Sequence, residues 1–208
     1  KLFADVLGTS TTKCAGPSTR WYNIDLAAGR VNGTILLPGE EFSYNALAGP
    51  YTEAVGYKKA GAYVGGKNID TTAGGICQLS STLYWTTLKA NLQIVERNKH
   101  KYNSGYMPVV GTDATVFSDS LDFRFQNDTD FPLKIECYQD DSHRLHVTLY
   151  GTDTTGVHGE PYSVTLSTVA YQNTYKPDAS KVPVGGAPVR DEEYARYNGI
   201  TVEVYQKL

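Results

Sequence analysis

No run of apolar residues in this chain of 208 approaches the length of a helical membrane span, so no such span is expected. The first residues, Lys1-Leu2-Phe3-Ala4-Asp5, lack the apolar core of a signal peptide, which leaves open an anchor or leader upstream. Basic residues nowhere cluster, and with a formal net charge of −3 neither a nucleic-acid duplex nor an anionic membrane surface is expected as main partner. Cysteine is scarce. There are three, with no CxxC, and the four histidines do not join them at zinc-ligand spacing, so neither a structural metal nor a cofactor is expected. Three is also odd: Cys14 and Cys137 are the pair that could bridge, leaving Cys77 free.

What the chain does have is the stretch Gly74-Gly75-Ile76-Cys77-Gln78-Leu79-Ser80-Ser81-Thr82-Leu83-Tyr84. Ile76, Leu79, Leu83 and Ala90 fall on one helical stripe, while Cys77, Ser80 or Ser81, Tyr84 and Leu88 form the neighbouring one. The first stripe is expected to pack and the second to face a groove. A thiol in the first helical turn sits where unpaired N–H groups and the positive end of the macrodipole favour its anion. Gly74 and Gly75 permit conformations closed to other residues and a close approach of substrate backbone. The N–H groups of Gln78 and Leu79 are then candidates to face an oxyanion beside the sulfur. The plainer alternative is that Cys77 is a small buried residue.

Elsewhere, residues 3–12 read as a strand and Ser18 or Thr19 as the cap of a helix to about Val31. Gly33 to Gly39 reads as a short buried strand closed by Pro38-Gly39, and the glycine-rich residues 40–75 as loop and short strand beside a substrate groove. After the Cys77 helix the period changes. Strands are expected at 92–97, 121–126, 133–138 and 144–150, with a turn at Asn127-Asp128-Thr129-Asp130. The fold class is therefore α+β, with helices packed on a mainly antiparallel sheet. Residues 1–150 form the main domain. Residues 151–208, loose between Gln172 and Asp191 with strands at 162–169 and 200–206, are a β-rich extension, either folded back or starting a second module.

Cysteine chemistry needs a base. His143 and His146 read as surface residues and His158 lies in the loose tail, whereas His100 follows a strand that comes straight after the Cys77 helix. Asp113 and Glu96 are the candidates to fix its tautomer. Asp113 could instead cap backbone N–H groups, and Glu96 could pair with Arg97 at the surface.

Arg20-Trp21-Tyr22-Asn23-Ile24, Asn32-Gly33-Thr34, the run from Leu37-Pro38-Gly39 to Asn45, the Gly74-to-Tyr84 stretch, Glu96-Arg97, His100, Tyr106-Met107-Pro108, Gly111-Thr112-Asp113-Ala114-Thr115-Val116 and Asp122-Phe123-Arg124-Phe125-Gln126-Asn127 follow in order. In order and spacing they resemble the VanW family over roughly residues 15 to 150. Two positions depart from the family pattern: Ala73 stands where a third glycine is common, and Thr112 where a basic residue often precedes Asp-Ala-Thr. If that basic residue binds a substrate carboxylate, this chain binds it elsewhere.

The resemblance implies an extracytoplasmic protein of Gram-positive cell walls, tethered by a segment outside this chain and making no membrane contact itself. It implies peptidoglycan stem peptides as partners and a cysteine-dependent L,D-transpeptidase forming 3-3 cross-links, with Cys77 as nucleophile and His100 as acid and base. Gly74, Gly75, Gln78, Ser80, Ser81 and Tyr84 are the candidate substrate-binding residues. A cysteine peptidoglycan hydrolase or carboxypeptidase, or a wall-binding module without chemistry, would present the same motifs.

Overall fold

A computed structural model describes residues 2–64, 67–101, 103–169, 175–176, 189–190 and 199–207. Gly65, Gly66 and most of the stretch read as loose between Gln172 and Asp191 lie outside them. The fold is α+β with antiparallel pairing throughout the described strands. Its main sheet is four-stranded, in the order β1 (Asp5–Lys13), β9 (Arg144–Gly151), β8 (Leu133–Gln139), β2 (Ile35–Leu36).

Alternation dictates which face is covered. Leu133, Ile135 and Cys137 of β8 and Leu145, Val147 and Leu149 of β9 are buried, while their neighbours are wetter. On that buried face lie α1 (Ser18–Val31), against β8, and α3 (Ile76–Lys89), against β1 and β9. A second sheet, β3 (Glu41–Ser43), β7 (Arg124–Gln126) and β6 (Gln93–Glu96), runs in the order β3-β7-β6. It supplies Phe42 and Phe125, stacked at 4.9 Å, with Phe123 beside them. Between β3 and α3 in the chain come the short α2 (Tyr44–Ala48) and the hairpin β4 (Lys59–Val64) and β5 (Lys67–Thr72). After Gly151, β10 (Glu160–Val169) pairs with β13 (Gly199–Lys207), and β11 (Tyr175–Lys176) with β12 (Val189–Arg190). The Gly159 N–H and Gln206 Nε2 donate to the Lys89 and Leu88 carbonyls, each at 2.8 Å, joining this extension to the end of α3.

Several expectations need correction. Pro17, not Ser18 or Thr19, occupies the N-cap of α1, and no side chain caps it. The strand expected between Gly33 and Gly39 shrinks to Ile35–Leu36, with Ile35 exposed, because the Pro38-Gly39 turn follows at once. The three cysteines are free. Cys137 and Ser10 both pair with Val147, so Cys14 lies two strands across and four residues along from Cys137, beyond disulfide reach.

The largest departure concerns α3, whose second stripe does not face a groove. Gln78, Ser80, Ser81, Thr82, Thr86 and Thr87 are fully buried with the leucines, and Tyr84 nearly so. Hydroxyls make this tolerable, since Thr82, Thr86 and Thr87 each donate to the carbonyl four residues back, at 2.7–2.8 Å.

The entry to α3 is as tight. Gly75 holds the N-cap in the left-handed region at φ 107, and a Cβ on Gly74 would stand 2.3 Å from the Ala60 carbonyl. The buried Asn23 of α1 clamps the same spot: its Nδ2 donates to the Gly74 and Lys58 carbonyls at 3.0 and 2.8 Å, and its Oδ1 accepts from the Lys58 N–H at 2.8 Å. Gly74 therefore admits the protein's own β4, not a substrate chain. Ala73 itself holds φ 65, a conformation glycine adopts without strain. Gly74→Ala is expected to destabilise the fold by about 3 kcal/mol. Gly29→Ala, in α1 where a Cβ meets nothing within 4 Å, should stabilise it by about 0.5–1 kcal/mol; urea unfolding midpoints read both.

Candidate active site

Cys77 is the second residue of α3, half-buried, where the helix leaves the Gly74-Gly75 turn. Of the first-turn N–H groups, Ile76 donates to the Ala73 carbonyl at 3.3 Å and Gln78 to the Gly75 carbonyl at 2.9 Å. The Gln78 N–H expected to face an oxyanion is thus already engaged. Among the described residues, the Cys77 N–H of this turn has no carbonyl partner, and the Leu79 N–H, the other expected oxyanion donor, has none outside the helix.

Facing the thiol is the segment that joins β6 to β7. The Sγ donates to the Val116 carbonyl at 3.5 Å and lies 3.7 Å from the Thr115 hydroxyl, with the His100 imidazole close enough to act on it electrostatically. The His100 Nδ1 is 2.7 Å from Asp113 Oδ2, which leaves Nε2 as the ring nitrogen for Cys77. Asp113 Oδ2 also accepts from the His100 backbone N–H at 2.7 Å, so one carboxylate oxygen fixes both ring and chain. The Ser104 hydroxyl, 3.1 Å from Nδ1, completes that side of the ring.

Behind Asp113 stands Arg97. Its Nε donates to the Asp113 carbonyl at 2.7 Å, and its Nη2 to the Gly111 carbonyl at 2.6 Å and to Asp113 Oδ1 at 3.2 Å. Its guanidinium lies over the Tyr84 ring, 5.1 Å from the centroid. The structure therefore brings Cys77, His100 and Asp113 into one line and does not bring Glu96 into it. Glu96 Oε1 accepts from the Asp122 N–H at 2.9 Å and from Asn98 Nδ2 at 3.0 Å, so it shapes the loop and makes no surface pair with Arg97.

The candidate substrate-binding side chains on α3 are likewise held inside. Gln78 binds Arg20, Thr12 and the Lys13 carbonyl, Ser80 and Ser81 donate to the Ala114 carbonyl, and Tyr84 packs edge-on against Phe123. Their role is to dock the 111–116 segment and β1 on the helix. Gly75 stands equally close to Arg20, whose Cγ a Cβ would meet at 2.7 Å. Thr112 is fully buried with its hydroxyl on the Val109 carbonyl, so this position offers no cation to a ligand. The other histidines are distant in kind: His143 stacks on Trp21, His146 pairs with Asp140 and His158 with Asp153.

The electrostatics follow from this geometry. Burial pushes the Cys14 and Cys137 thiols up to about 11 and about 12. Burial also works against a Cys77 thiolate, but the hydrogen bond and charge of His100 outweigh it and hold the thiol below its ordinary value. His100 is desolvated too, yet Asp113 and Cys77 raise it to about 9. Asp113 is held below the usual carboxylate range: its own burial is outweighed by hydrogen bonds from His100 and by the charges of His100 and Arg97. Sequence reasoning passed over Arg97 and Thr115. Each sits inside a quoted motif, one beside Glu96 and the other two residues after Asp113, and that adjacency was the available signal.

The family model described as VanW like protein matches residues 19–150, more than half of the chain. The chain belongs to the VanW family. It is 39% identical over 135 residues to the uncharacterised protein YoaR of Bacillus subtilis (strain 168), covering 65% of this chain and 44% of that one. It is 33% identical over 124 residues to the vancomycin B-type resistance protein VanW of Enterococcus faecalis (strain ATCC 700802 / V583), covering 58% of this chain and 45% of that one. The chain thus matches less than half the length of either relative. No solved structure matches it. Among the described residues, no helix is long and apolar enough to cross a membrane.

The thiolate persists above the lowered pKa of Cys77 and the imidazolium below about 9, so the ion pair spans the interval between them. Iodoacetamide should therefore modify Cys77 at a lower pH than an ordinary thiol of pKa about 8.5 requires, and leave Cys14 and Cys137 untouched. His100→Ala should move the Cys77 profile up by at least about one pH unit, read by peptide mass spectrometry across a pH series.

Proposed function

We propose that this VanW domain is a cysteine acyltransferase acting on peptidoglycan stem peptides, an L,D-transpeptidase that makes 3-3 cross-links. The observation that carries the reading is the Cys77–His100–Asp113 line, with a lowered thiol in the first turn of α3 and an imidazole tethered by its far nitrogen. That constellation suits acyl transfer on any fold. The substrate class rests on the family and on a relative whose name ties it to vancomycin resistance, which fits a role in the cell envelope.

In the first step Cys77 Sγ attacks the carbonyl joining the third, diamino residue of a tetrapeptide stem to its D-Ala. The carbonyl electron pair moves to oxygen, where the Cys77 N–H is an available backbone donor. Collapse restores the C=O and breaks the C–N bond as His100 Nε2–H protonates the departing amine. His100, now neutral, takes a proton from the side-chain amine of a second stem, which attacks the thioester and releases Cys77. Water in place of that amine makes the same site a carboxypeptidase, so shielding of the thioester decides the product. Tyr51 and Tyr106 contribute to that shielding: Tyr106 donates to the Cys77 carbonyl at 3.2 Å, and the half-buried Tyr51 is fixed by its bond to Asn45 Oδ1.

Incubation of the protein with disaccharide-tetrapeptide should give a dimer one D-Ala lighter than two monomers, detected by mass spectrometry and absent with Cys77→Ala. Loss of D-Ala with gain of water and no dimer identifies a carboxypeptidase, and no product under any condition favours a binding module. His100→Gln should slow whichever reaction occurs by about 10²–10⁴-fold.

A further inference from the structure

Residues 114–116 run beside the first turns of α3 and are fixed there by backbone contacts. The Ala114 N–H donates to Ser81 Oγ at 3.0 Å, and the Ala114 carbonyl accepts from Ser80 Oγ at 2.7 Å and from Ser81 Oγ at 3.1 Å. The Thr115 N–H donates to the Asn98 carbonyl at 2.8 Å. These bonds settle the backbone and leave the Thr115 side chain directed at the thiol. Its Oγ1 lies 3.7 Å from Cys77 Sγ, and among the described residues that sulfur is its hydrogen-bond partner.

A half-buried hydroxyl normally finds an oxygen acceptor, commonly a nearby carbonyl. The neighbouring hydroxyls do so, Ser81 on the Cys77 carbonyl at 2.7 Å and Thr112 on the Val109 carbonyl at 2.6 Å. Thr115 points instead at the atom that carries charge in the resting site.

We propose that Thr115 is a catalytic residue: its hydroxyl donates to the Cys77 sulfur at rest and passes to the substrate oxyanion during acyl transfer. The proposal rests on the acyl-transfer reading of the site. When Sγ attacks, the S–C bond forms and the carbonyl π pair moves to oxygen, so the negative charge leaves sulfur for an atom bonded to the same carbon. Rotation about the Cβ–Oγ1 bond of Thr115 lets the hydrogen follow that charge with no movement of backbone or χ1. An oxyanion donor acts from about 2.7–3.1 Å, nearer than the present distance to sulfur. A hydrogen bond to a localised oxyanion is shorter and stronger than one to sulfur, so the hydroxyl is proposed to bind the tetrahedral state more strongly than the resting one, the condition for lowering a barrier. When the intermediate collapses, the pair returns to the C=O bond, the amine leaves with the His100 proton, and the Thr115 hydrogen is again free for sulfur. With the Cys77 N–H it makes a two-donor oxyanion site.

Two reactions of the same thiol separate this role from thiol activation and from packing. Iodoacetamide alkylates by displacement and forms no oxyanion, whereas p-nitrophenyl acetate acylates through one. Thr115→Val, which keeps the shape and removes the hydroxyl, should slow acylation by p-nitrophenyl acetate about 100-fold while alkylation stays within about threefold. Thr115→Ser should recover acylation to within about tenfold of wild type. Equal losses in both reactions, no loss of acylation in Thr115→Val, or no recovery in Thr115→Ser overturns the role of Thr115 alone. A wild type that alkylates at lowered pH yet is never acylated overturns the acyl-transfer reading, and the role of Thr115 with it.

Discussion

Everything in this site depends on how α3 enters the core. A helix covered by the main sheet, α1 and the 111–116 segment cannot slide or rotate to suit a ligand, because close packing leaves it no room. Its first turn is fixed by contacts with no slack: the Ala60 carbonyl against Gly74, the Asn23 amide on the Gly74 carbonyl, and Arg20 across Gly75. A reactive side chain on the second residue inherits that rigidity. Preorganisation of this kind costs nothing at the moment of reaction, since ordering was completed on folding.

The partner groups reach Cys77 from chain far away in sequence, and their placement has its own scaffold. Asp122 accepts from the Asn45 N–H and the Ser43 hydroxyl, Glu96 Oε1 holds the Asp122 N–H and the Asn98 side chain, and the Asn98 carbonyl takes the Thr115 N–H. This chain of polar contacts links α2, β6 and the 111–123 segment into one unit that faces the helix. Buried or half-buried carboxylates are tolerable here because each accepts backbone N–H groups. Asp122 and Glu96 thus shape the site through the backbone, while Asp113 does so through a side chain.

Most of the architecture was legible in the sequence because period is a direct record of burial. Leu133, Ile135 and Cys137 alternate, Ile76, Leu79 and Leu83 recur at helical spacing, and the structure has a strand and a helix there. Legibility failed where burial and polarity part company. Gln78, Ser80 and Ser81 read as groove residues because hydroxyls and amides usually seek water, yet their partners are the Thr12 hydroxyl and the Lys13 and Ala114 carbonyls. Those partners come from β1 and from a loop more than thirty residues on, and no local pattern encodes them. The same limit applies to the acids. Asp113 and Glu96 were both candidates to orient His100; only the fold decides that Asp113 meets it while Glu96 meets the Asp122 N–H. The glycines misled in a related way: a close approach was rightly read from Gly74, but the approaching chain is β4.

Arg97 shows why the line of groups does not end at Asp113. With the ion pair formed, the row runs thiolate, imidazolium, carboxylate, guanidinium, so its charges cancel along a half-buried path. On the proposed reaction, acylation removes the charge on sulfur and the departing amine removes the proton from His100. What remains is Asp113 beside Arg97, again neutral. Without the guanidinium, both states would leave one uncompensated negative charge in a desolvated region, and a half-buried carboxylate would answer by taking up a proton. A protonated Asp113 could no longer hold the His100 Nδ1–H and its backbone N–H on the same oxygen. The guanidinium therefore keeps Asp113 an acceptor in both halves of the cycle, and its three bonds to residues 111 and 113 fix where that acceptor stands.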